Sequence, residues 1–505
     1  MHNLYRILLL TIIFISGTGT ICFSQLTDAI YQPPSSDTTS VADTTSVADT
    51  TNRTVVIANV NITGFKKTRL YLIEREIPFK QGDQILRSEL PAKLLLCKQQ
   101  LMNTSLFVDV IVSIEHEEND FVFVNVQIKE RWYLFPLPYF KVVDRNFNEW
   151  WVQNKRSLQR VNYGLKFMQN NVSGRNDKLN FWLISGYTRQ ATIRYENPFI
   201  DKKLKHGISI GFSYSANHEI NYVTDANKPR FVKDPDRYLI SRLSADLGYS
   251  YRPAIKTRHN FHASYGNITV NDSILKWNPN FFPSNYNRVT YASFNYTIQH
   301  FNVDYIPYPL KGFSGEASIS KRFGKQIGMW QIAGRGSFSF QMLPKTYLEF
   351  QGTGLLRLPF NQSYFSTRIF GSSDFYMRGL EYYVIEGVAG GLARATARKE
   401  VLSFKVKSPV HSKSHDKIPF RIFLKGYGDV GYSYLKQKND MYVRFDEENN
   451  ARTVKPVFTF LNNKWLGTCG MGIDIITFYD MVLKLEYSFN QFGQSGWFIH
   501  TKSDF

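Results

Sequence analysis

Two short patterns in the chain have the residue types of enzyme active sites. Residues 207–211 read Gly-Ile-Ser-Ile-Gly, which fits the pattern around a hydrolase nucleophile. Ser209 lies in the middle of a strand-like segment with no helix after it, so the sharp turn that exposes a catalytic hydroxyl is missing. Residues 426–431 read Gly-Tyr-Gly-Asp-Val-Gly, but a strand stands where the dinucleotide fingerprint needs the start of a helix. We assign a reaction to neither pattern.

A metal site is the next chemistry that the residue types allow. His411 and His415 lie four residues apart in a segment rich in Ser and Lys, and Asp416 follows directly. No third and fourth ligands stand out, and a structural metal site usually has four. The sequence therefore predicts no catalytic residue, no metal site and no cofactor, and an enzyme is not the expected class.

Two carboxylates on neighbouring strands carry a more specific pattern. In the strand-like segment after residue 391, alanine residues alternate with polar residues that share one face. These polar residues are Arg394, Thr396, Arg398 and Glu400. In residues 421–432, Asp429 shares one face with Arg421, Lys425 and Tyr427. If both faces line an enclosed interior, a carboxylate there can bind a guanidinium through two charge-assisted hydrogen bonds.

The elements that would position these groups are strands. The clearest alternation is at the end of the chain, where Met481, Leu483, Leu485, Tyr487 and Phe489 share one face. After a short turn, Trp497, Ile499 and Phe505 share one face, and Phe498 and His500 share the other. Strands with aromatic and aliphatic groups on one face and charge on the other are typical of closed barrels in lipid, and a terminal outward-facing Phe is typical of outer-membrane barrels.

Similar strand-like segments recur through most of the chain. We count fifteen, and since single-chain bacterial barrels have even strand numbers, the sequence predicts about 16 antiparallel strands over residues 140–505. The stretch 358–391 is too long for a turn and is predicted to be a loop folded into the barrel.

The composition agrees with a barrel and argues against nucleic acid. Hydrophobic residues make up 43% of the 505 residues, aromatic residues make up 15%, and the mean hydropathy is -0.29. Alternating faces give such averages without any spanning helix. The formal charge of +19 is spread through strands and loops with no basic helix or zinc pattern, so we expect outer-membrane lipids, not nucleic acid, as the partner.

The first residues indicate that the protein is exported from the cytoplasm. Residues 1–24 have Arg6, an apolar core and a small polar end, which predicts a secretory signal peptide. Ile21 before Cys22 does not fit a lipoprotein signal, so cleavage after Ser24 is expected. Residues 25–53 contain the repeat DTTSVADTTSVADTT and are predicted to be a disordered linker. Cys97 and Cys469 are expected to be free thiols.

Residues 54–131 differ from the rest in pattern. A strand, two helices and two further strands follow one another in under eighty residues, and each helix has one apolar face. This order, with GDQI between the helices and LMNTSLFVDVIV entering a strand, resembles a POTRA domain. POTRA domains precede the barrels of the BamA and TamA superfamily. The resemblance implies a Gram-negative outer membrane with the POTRA domain in the periplasm.

The loop carries a second resemblance to the same superfamily. Its MRGL is similar to the Arg-Gly-aromatic signature of an inward-folded loop, matched here by Arg378 and Gly379. The family's Arg reaches acidic groups on the two following strands, which implies Glu400 and Asp429 as its partners. Leu380 departs from the aromatic residue of the signature, and Tyr382 or Tyr383 is available to supply the ring.

The superfamily implies an assembly factor that inserts outer-membrane proteins. An unfolded client would first add to the edge of the POTRA domain, at Phe107, Val108, Val110 and Val112. It would then enter a lateral seam between the first and last barrel strands, assigned here to Asn162, Gly164, Trp497, Ile499 and Phe505. Periplasmic or lipoprotein accessory subunits are possible further partners.

Two other functions remain open at this point. A translocation pore of the same superfamily would pass a secreted polypeptide through the lumen. A passive porin or receptor would have no assembly role. A barrel hydrolase lacks a credible nucleophile.

Overall fold

The computed structural model describes residues 53–142, 161–325, 327–370, 375–407, 417–436, 440–446, 451–477 and 480–500. The predicted signal peptide, the predicted linker up to residue 52, His411, His415 and Phe505 lie outside the described residues. Two main sheets are present, one of four strands and one of sixteen.

The four-stranded sheet belongs to an N-terminal α+β unit. Its elements in chain order are β1 (Thr54–Thr63), α1 (Leu70–Glu76), β2 (Gln84–Leu86), α2 (Leu90–Met102), β3 (Phe107–Glu118) and β4 (Phe121–Glu130). The strand order is β2-β1-β4-β3, with β1 parallel to β4 and the other pairs antiparallel. The predicted order of elements is confirmed except for the addition of β2, whose three residues are too few to show an alternation.

The two helices cover one face of this sheet. Alternate residues of β4, Val122, Val124 and Val126, are buried against Leu72 of α1 and Leu101 of α2 in one apolar core. A strand with one buried face and a helix with one apolar stripe each need such a partner, which is why these elements pack together. Within the described ranges, no helix has the length and apolar content needed to cross a membrane.

The larger sheet is a barrel of sixteen antiparallel strands, as predicted. Each strand pairs with its neighbours in chain order. They are β5 (Leu134–Val142), β6 (Val161–Asn170), β7 (Lys178–Gly186), β8 (Thr188–Asn197), β9 (His206–Asn217), β12 (Ile240–Ala254), β13 (Thr257–Val270), β14 (Arg288–Val303), β15 (Gly312–Phe323), β16 (Met329–Leu343), β17 (Thr346–Leu358), β20 (Ala389–Lys407), β21 (Lys417–Tyr434), β24 (Trp465–Ile476), β25 (Val482–Asn490) and β26 (Ser495–His500).

The two faces of the barrel wall differ as the alternation predicts. Trp497 and Ile499 of β26 are 72% and 68% exposed and face outward. Lys484 and Glu486 of β25 are buried on the inner side. An outer face of large apolar groups suits contact with lipid, and the enclosed charges suit a polar lumen.

The first and last strands of the sheet are its two edges. Within the described residues, β5 pairs only with β6 and β26 pairs only with β25. Asn162 and Gly164 lie on β6, which is paired on both sides, so their predicted place on the seam is corrected to β5. The segment of β5 reads LFPLPYFKV, and its two prolines and unbroken apolar run hide the alternation that marks the other strands.

Short elements cover the barrel end away from the N-terminal unit. They are β10 (Glu219–Asp225), β11 (Lys228–Lys233), α3 (Asp272–Trp277), β22 (Met441–Asp446) and β23 (Ala451–Pro456), with 3₁₀ turns at Pro283–Asn285 and Tyr364–Ser366. Their buried aromatic residues, among them Tyr222, Phe281, Phe282 and Tyr442, share an apolar core.

Candidate functional site

The long loop between β17 and β20 folds into the barrel. It contains the small hairpin β18 (Arg368–Phe370) and β19 (Ile385–Glu386). Its buried residues form an apolar cluster with the barrel wall: Ile369, Met377, Leu380, Tyr383 and Ile385 pack with Leu392 of β20 and Leu466 of β24. The loop is therefore held against the inner face of the last strands of the barrel, and it occupies part of the lumen.

Arg378 extends from this loop and binds Asp429 of β21. Its Nε lies 3.1 Å from both carboxylate oxygens, its Nη2 lies 2.5 Å from Oδ1, and its backbone N–H donates to Oδ2 at 3.2 Å. Its Nη1 donates to Thr396 Oγ1 of β20 at 3.2 Å. The charged side chains of Arg378 and Asp429 are only 5% and 0% exposed. We call these three residues the clamp.

Two neighbouring groups add to the clamp. The guanidinium of Arg378 lies 4.0 Å from the centre of the Tyr427 ring, close enough for a cation–π contact. Arg394 of β20 places its Nε 3.6 Å from Asp429 Oδ2. Asp429 therefore serves two cations in an enclosed site, where charge-assisted hydrogen bonds are stronger than in water.

Gly379 allows the loop backbone to approach the wall. Its φ is +84°, in the left-handed region that favours glycine. A Cβ at this position would lie 3.0 Å from the Cβ of Ser488 and 3.5 Å from the Cβ of Thr468. The carbonyl oxygen of Gly379 accepts a hydrogen bond from the Asn490 side chain at 3.1 Å. Both the backbone conformation and the close approach therefore require glycine here.

Glu400, the other predicted partner of Arg378, is not part of the clamp. Its carboxylate binds Nη2 of Arg421 at 2.6 Å. The alternation placed Glu400 on the correct face, but it lies four residues, or about 13 Å, beyond Thr396 along β20. Alternation identifies the face of a strand and gives no information on the depth at which a loop residue meets it.

The position after Arg378 and Gly379 is filled by an aliphatic side chain. Leu380 is buried in the loop cluster. Of the two tyrosines that could supply the missing ring, Tyr383 is buried and donates to Gln494 at 3.0 Å, whereas Tyr382 is exposed beside Phe498 of β26. The apolar contact at this position is thus made without an aromatic residue.

A second charged cluster lies next to the clamp. Lys425 Nζ of β21 lies 2.5 Å from Asp474 of β24 and 2.6 Å from Glu486 of β25. Tyr308, from the turn after β14, donates to Asp474 at 2.8 Å. These residues were not singled out from the sequence, although the alternation of β21 and β25 places Lys425 and Glu486 on the inner face.

The predicted client-binding strand lies at the edge of the four-stranded sheet. Among the described residues, β3 pairs with β4 alone. Phe107 and Val110 are fully buried in the core, whereas Val108 and Val112 are half-buried and Ile111 is exposed. The edge that is open to a client is therefore the backbone of β3, while two of its predicted contact side chains belong to the core.

The N-terminal unit is joined to the barrel by a largely buried ion pair. Arg131, just after β4, donates from Nη1 and Nη2 to Asp480 at 2.8 and 2.9 Å. Ser105 and Tyr305 also donate to this carboxylate. On the other side, Arg252 of β12 binds Glu76 of α1 at 2.6 Å. These contacts fix the unit against the turns at one end of the barrel.

Asp480→Asn is expected to loosen this junction by about 3 kcal/mol, because it leaves the Arg131 guanidinium largely enclosed without its carboxylate. Burial raises the pKa of the Asp480 carboxyl, but Arg131 outweighs it and holds the pKa below its usual value. The stabilisation is therefore complete above the unfolded pKa and is lost as pH falls through the folded one. Hydrogen exchange at the junction measures the effect.

Asp120→Asn is the matched control, since Asp120 pairs with Arg53 on the surface of the same unit. We expect almost no change from it, because solvent screens an ion pair on the surface. Equal effects of the two substitutions would contradict a special role for the junction.

Comparison with known proteins identifies the N-terminal unit. Residues 55–131 match the POTRA family, described as "Surface antigen variable number repeat". The chain carries a POTRA domain. This POTRA domain is followed by a sheet of sixteen antiparallel strands, which is the order of domains that the resemblance in the sequence implies. No curated protein matches the chain.

Three solved structures have partial structural similarity to the chain. BamA from Haemophilus ducreyi lacking POTRA domains 1–3 is 12% identical, with a TM-score of 0.45, over 88% of this chain and 83% of that one. CdiB from Acinetobacter baumannii is 11% identical, with a TM-score of 0.44, over 88% and 73%. CdiB from Escherichia coli is 9% identical, with a TM-score of 0.47, over 89% and 74%. The assignment of the POTRA domain rests on the family match, and that of the barrel on the strand order.

Proposed function

We propose that this protein is an outer-membrane assembly factor that captures unfolded polypeptides by strand addition and inserts them through a seam between β5 and β26. The observation that carries the proposal is that each of these end strands pairs on one side only among the described residues. An unpaired strand edge in lipid costs several kcal/mol for each unsatisfied group, and an incoming strand removes that cost. Client folding then supplies the driving force without a nucleotide.

The composition of the two edges supports a seam that opens. Pro136 and Pro138 carry no N–H, so β5 offers fewer donors than other strands of its length. Strand β26 pairs with β25 over only six residues. The outward side chains Leu134, Phe140 and Trp497 are exposed and apolar, as the entry of a client into lipid requires.

The POTRA domain supplies a first binding position. The edge of β3 is open to β-augmentation, in which main-chain hydrogen bonds give affinity for many sequences. Meanwhile the loop cluster and the clamp occupy the lumen beside β20, β21 and β24. This arrangement favours the seam over the lumen as the route for the client.

A disulfide across the seam tests the proposal. We would scan cysteine pairs, one at 136–140 and one at 495–499, because a disulfide needs Cα atoms about 4.4 to 6.8 Å apart. Cys469 is exposed and would be replaced by Ser. Cys97 can stay, since burial raises the pKa of its thiol to about 12 and leaves little reactive thiolate.

The oxidised and reduced forms of one variant are the matched pair. In liposomes, the oxidised form should insert an unfolded barrel client at least about tenfold more slowly, a barrier change of about 1.4 kcal/mol or more, and reduction should restore the rate. Equal rates with the seam locked would rule out the seam. Client released inside the liposome, instead of folded in its membrane, would indicate a translocation pore.

A further inference from the structure

Three potential metal ligands from three different elements meet beside the clamp. They are Glu381 of the loop, Glu486 of β25 and His500 of the end strand β26, with one ligand atom from each lying within 4.8 Å of the other two. Nε2 of His500 lies 3.3 Å from Oε2 of Glu486 and 3.5 Å from Oε1 of Glu381. We propose that this cluster binds a first-row divalent cation, with Zn²⁺ as the best-fitting ion.

The distances suit a metal ion. Ligand bonds of about 2.0 to 2.2 Å in a tetrahedral zinc site place neighbouring ligand atoms about 3.4 Å apart. Both histidine-to-carboxylate distances are close to this value. One imidazole and two carboxylates are ligands that zinc accepts, and zinc binds such sites more tightly than Mn²⁺, Fe²⁺ or Co²⁺ as a rule.

The ligand atoms are buried, and within the described residues they make ion-pair contacts with one another but no hydrogen bond of good geometry. The atoms without such a hydrogen bond are Oε2 of Glu486, both carboxylate oxygens of Glu381 and Nε2 of His500. Glu486 is 1% exposed, and its other oxygen is held by Lys425, so Oε2 is aimed at the cluster. Buried polar atoms usually have a partner, and a cation would supply one for all of them at once.

The surroundings orient the ligands. The Tyr376 ring stacks on the His500 ring with centroids 4.7 Å apart, which fixes the plane of the imidazole. Lys425 binds the other oxygen of Glu486 at 2.6 Å, and this contact fixes the orientation of the carboxylate. Glu381 is three residues after Arg378, so the clamp positions this ligand as well.

A bound cation would join the loop to the end strand. Strand β26 is otherwise paired with β25 alone among the described residues. Metal binding would thus add a link from the interior to one edge of the barrel, and it would restrain that edge. The proposal concerns binding and does not depend on the assembly role.

Zinc titration of the full-length protein tests the site. The protein is purified in detergent without an affinity tag, treated with EDTA and titrated with Zn²⁺ against a chromogenic chelator. We expect one Zn²⁺ per chain, and His500→Gln and Glu381→Gln should each weaken binding by about tenfold or more, since even the loss of an outer partner costs that much. Because Glu381 lies in the loop and not in a barrel strand, Glu381→Gln can still test the site if His500→Gln does not fold.

Two controls separate this cluster from other histidines. His262→Gln removes a histidine that lines the lumen elsewhere, and the double variant His411→Gln, His415→Gln removes the pair noted in the sequence. Both should bind zinc as the wild type does. Absence of zinc binding by the wild type, or undiminished binding by Glu381→Gln and His500→Gln, would overturn the proposal.

A second measurement reports on the end strand. In the wild type, zinc should slow hydrogen exchange of the amides in residues 495–500, and His500→Gln should abolish that effect. Exchange in β13, which is paired on both sides, should not respond to zinc. Equal slowing in His500→Gln would show that zinc acts elsewhere, against the proposal.

Discussion

Asp429→Asn is expected to destabilise the barrel by about 3 to 5 kcal/mol, the usual effect of removing one partner from a buried ion pair. Asp429 is fully enclosed and lies within reach of both Arg378 and Arg394. The amide oxygen of Asn can keep one hydrogen bond, but it removes the charge that balances two cations. Desolvated guanidinium groups are then left beside a neutral side chain.

Urea denaturation of the purified protein in detergent, followed by tryptophan fluorescence, would measure this effect. Asp246→Asn is the matched control, because Asp246 binds Arg194 at 2.8 Å inside the same barrel but both side chains are about a quarter to a third exposed. The control should lose no more than about 1 kcal/mol. Similar losses in the two variants would show that enclosure of the clamp adds nothing.

The clamp links the fold to the proposed function through the loop. With Arg378 anchored, the Gly379 backbone lies against Thr468 and Ser488, on β24 and β25. These strands lead to the edge strand β26. Loss of the clamp should therefore release the loop from the part of the barrel wall that borders the seam, and assembly and stability should fall together.

Most of the barrel could be predicted from the sequence because alternation is a local property. Trp497 and Ile499 were assigned to the outer face, and the structure exposes both. Strand β5 was missed because Pro136 and Pro138 interrupt an apolar run. The same prolines could have identified it, since proline within a sheet is confined mainly to edge strands.

The site could be predicted only in part because it depends on contacts between distant segments. The alternation of side chains placed Asp429 and Glu400 on the inner faces of their strands. How deep the loop reaches into the barrel decides which of the two binds Arg378. That depth is set by packing of Met377 and Leu380 against the wall. The contact between Glu381 and His500 also depends on how the loop packs against the wall, so the spacing of residues in the sequence could not reveal it.

Lys425→Met is expected to cost about 3 to 5 kcal/mol as well. The cation is held between Asp474 and Glu486, and all three side chains are nearly inaccessible to solvent. Methionine has a similar length and fills the space, so the loss of the charge, not the loss of packing, is what the variant reports. The two carboxylates would remain close together without the cation that holds them.

The location of the effect separates this prediction from a general loss of lumen charge. Hydrogen exchange in Lys425→Met should quicken in β24 and β25, which carry Asp474 and Glu486, and should not change in β12 and β13. Lys178→Met, at an exposed position lining the lumen, should change stability by less than about 0.5 kcal/mol. Uniform quickening around the barrel would contradict a local role. A response confined to β24 and β25 would show that Lys425 stabilises the strands beside the edge strand β26.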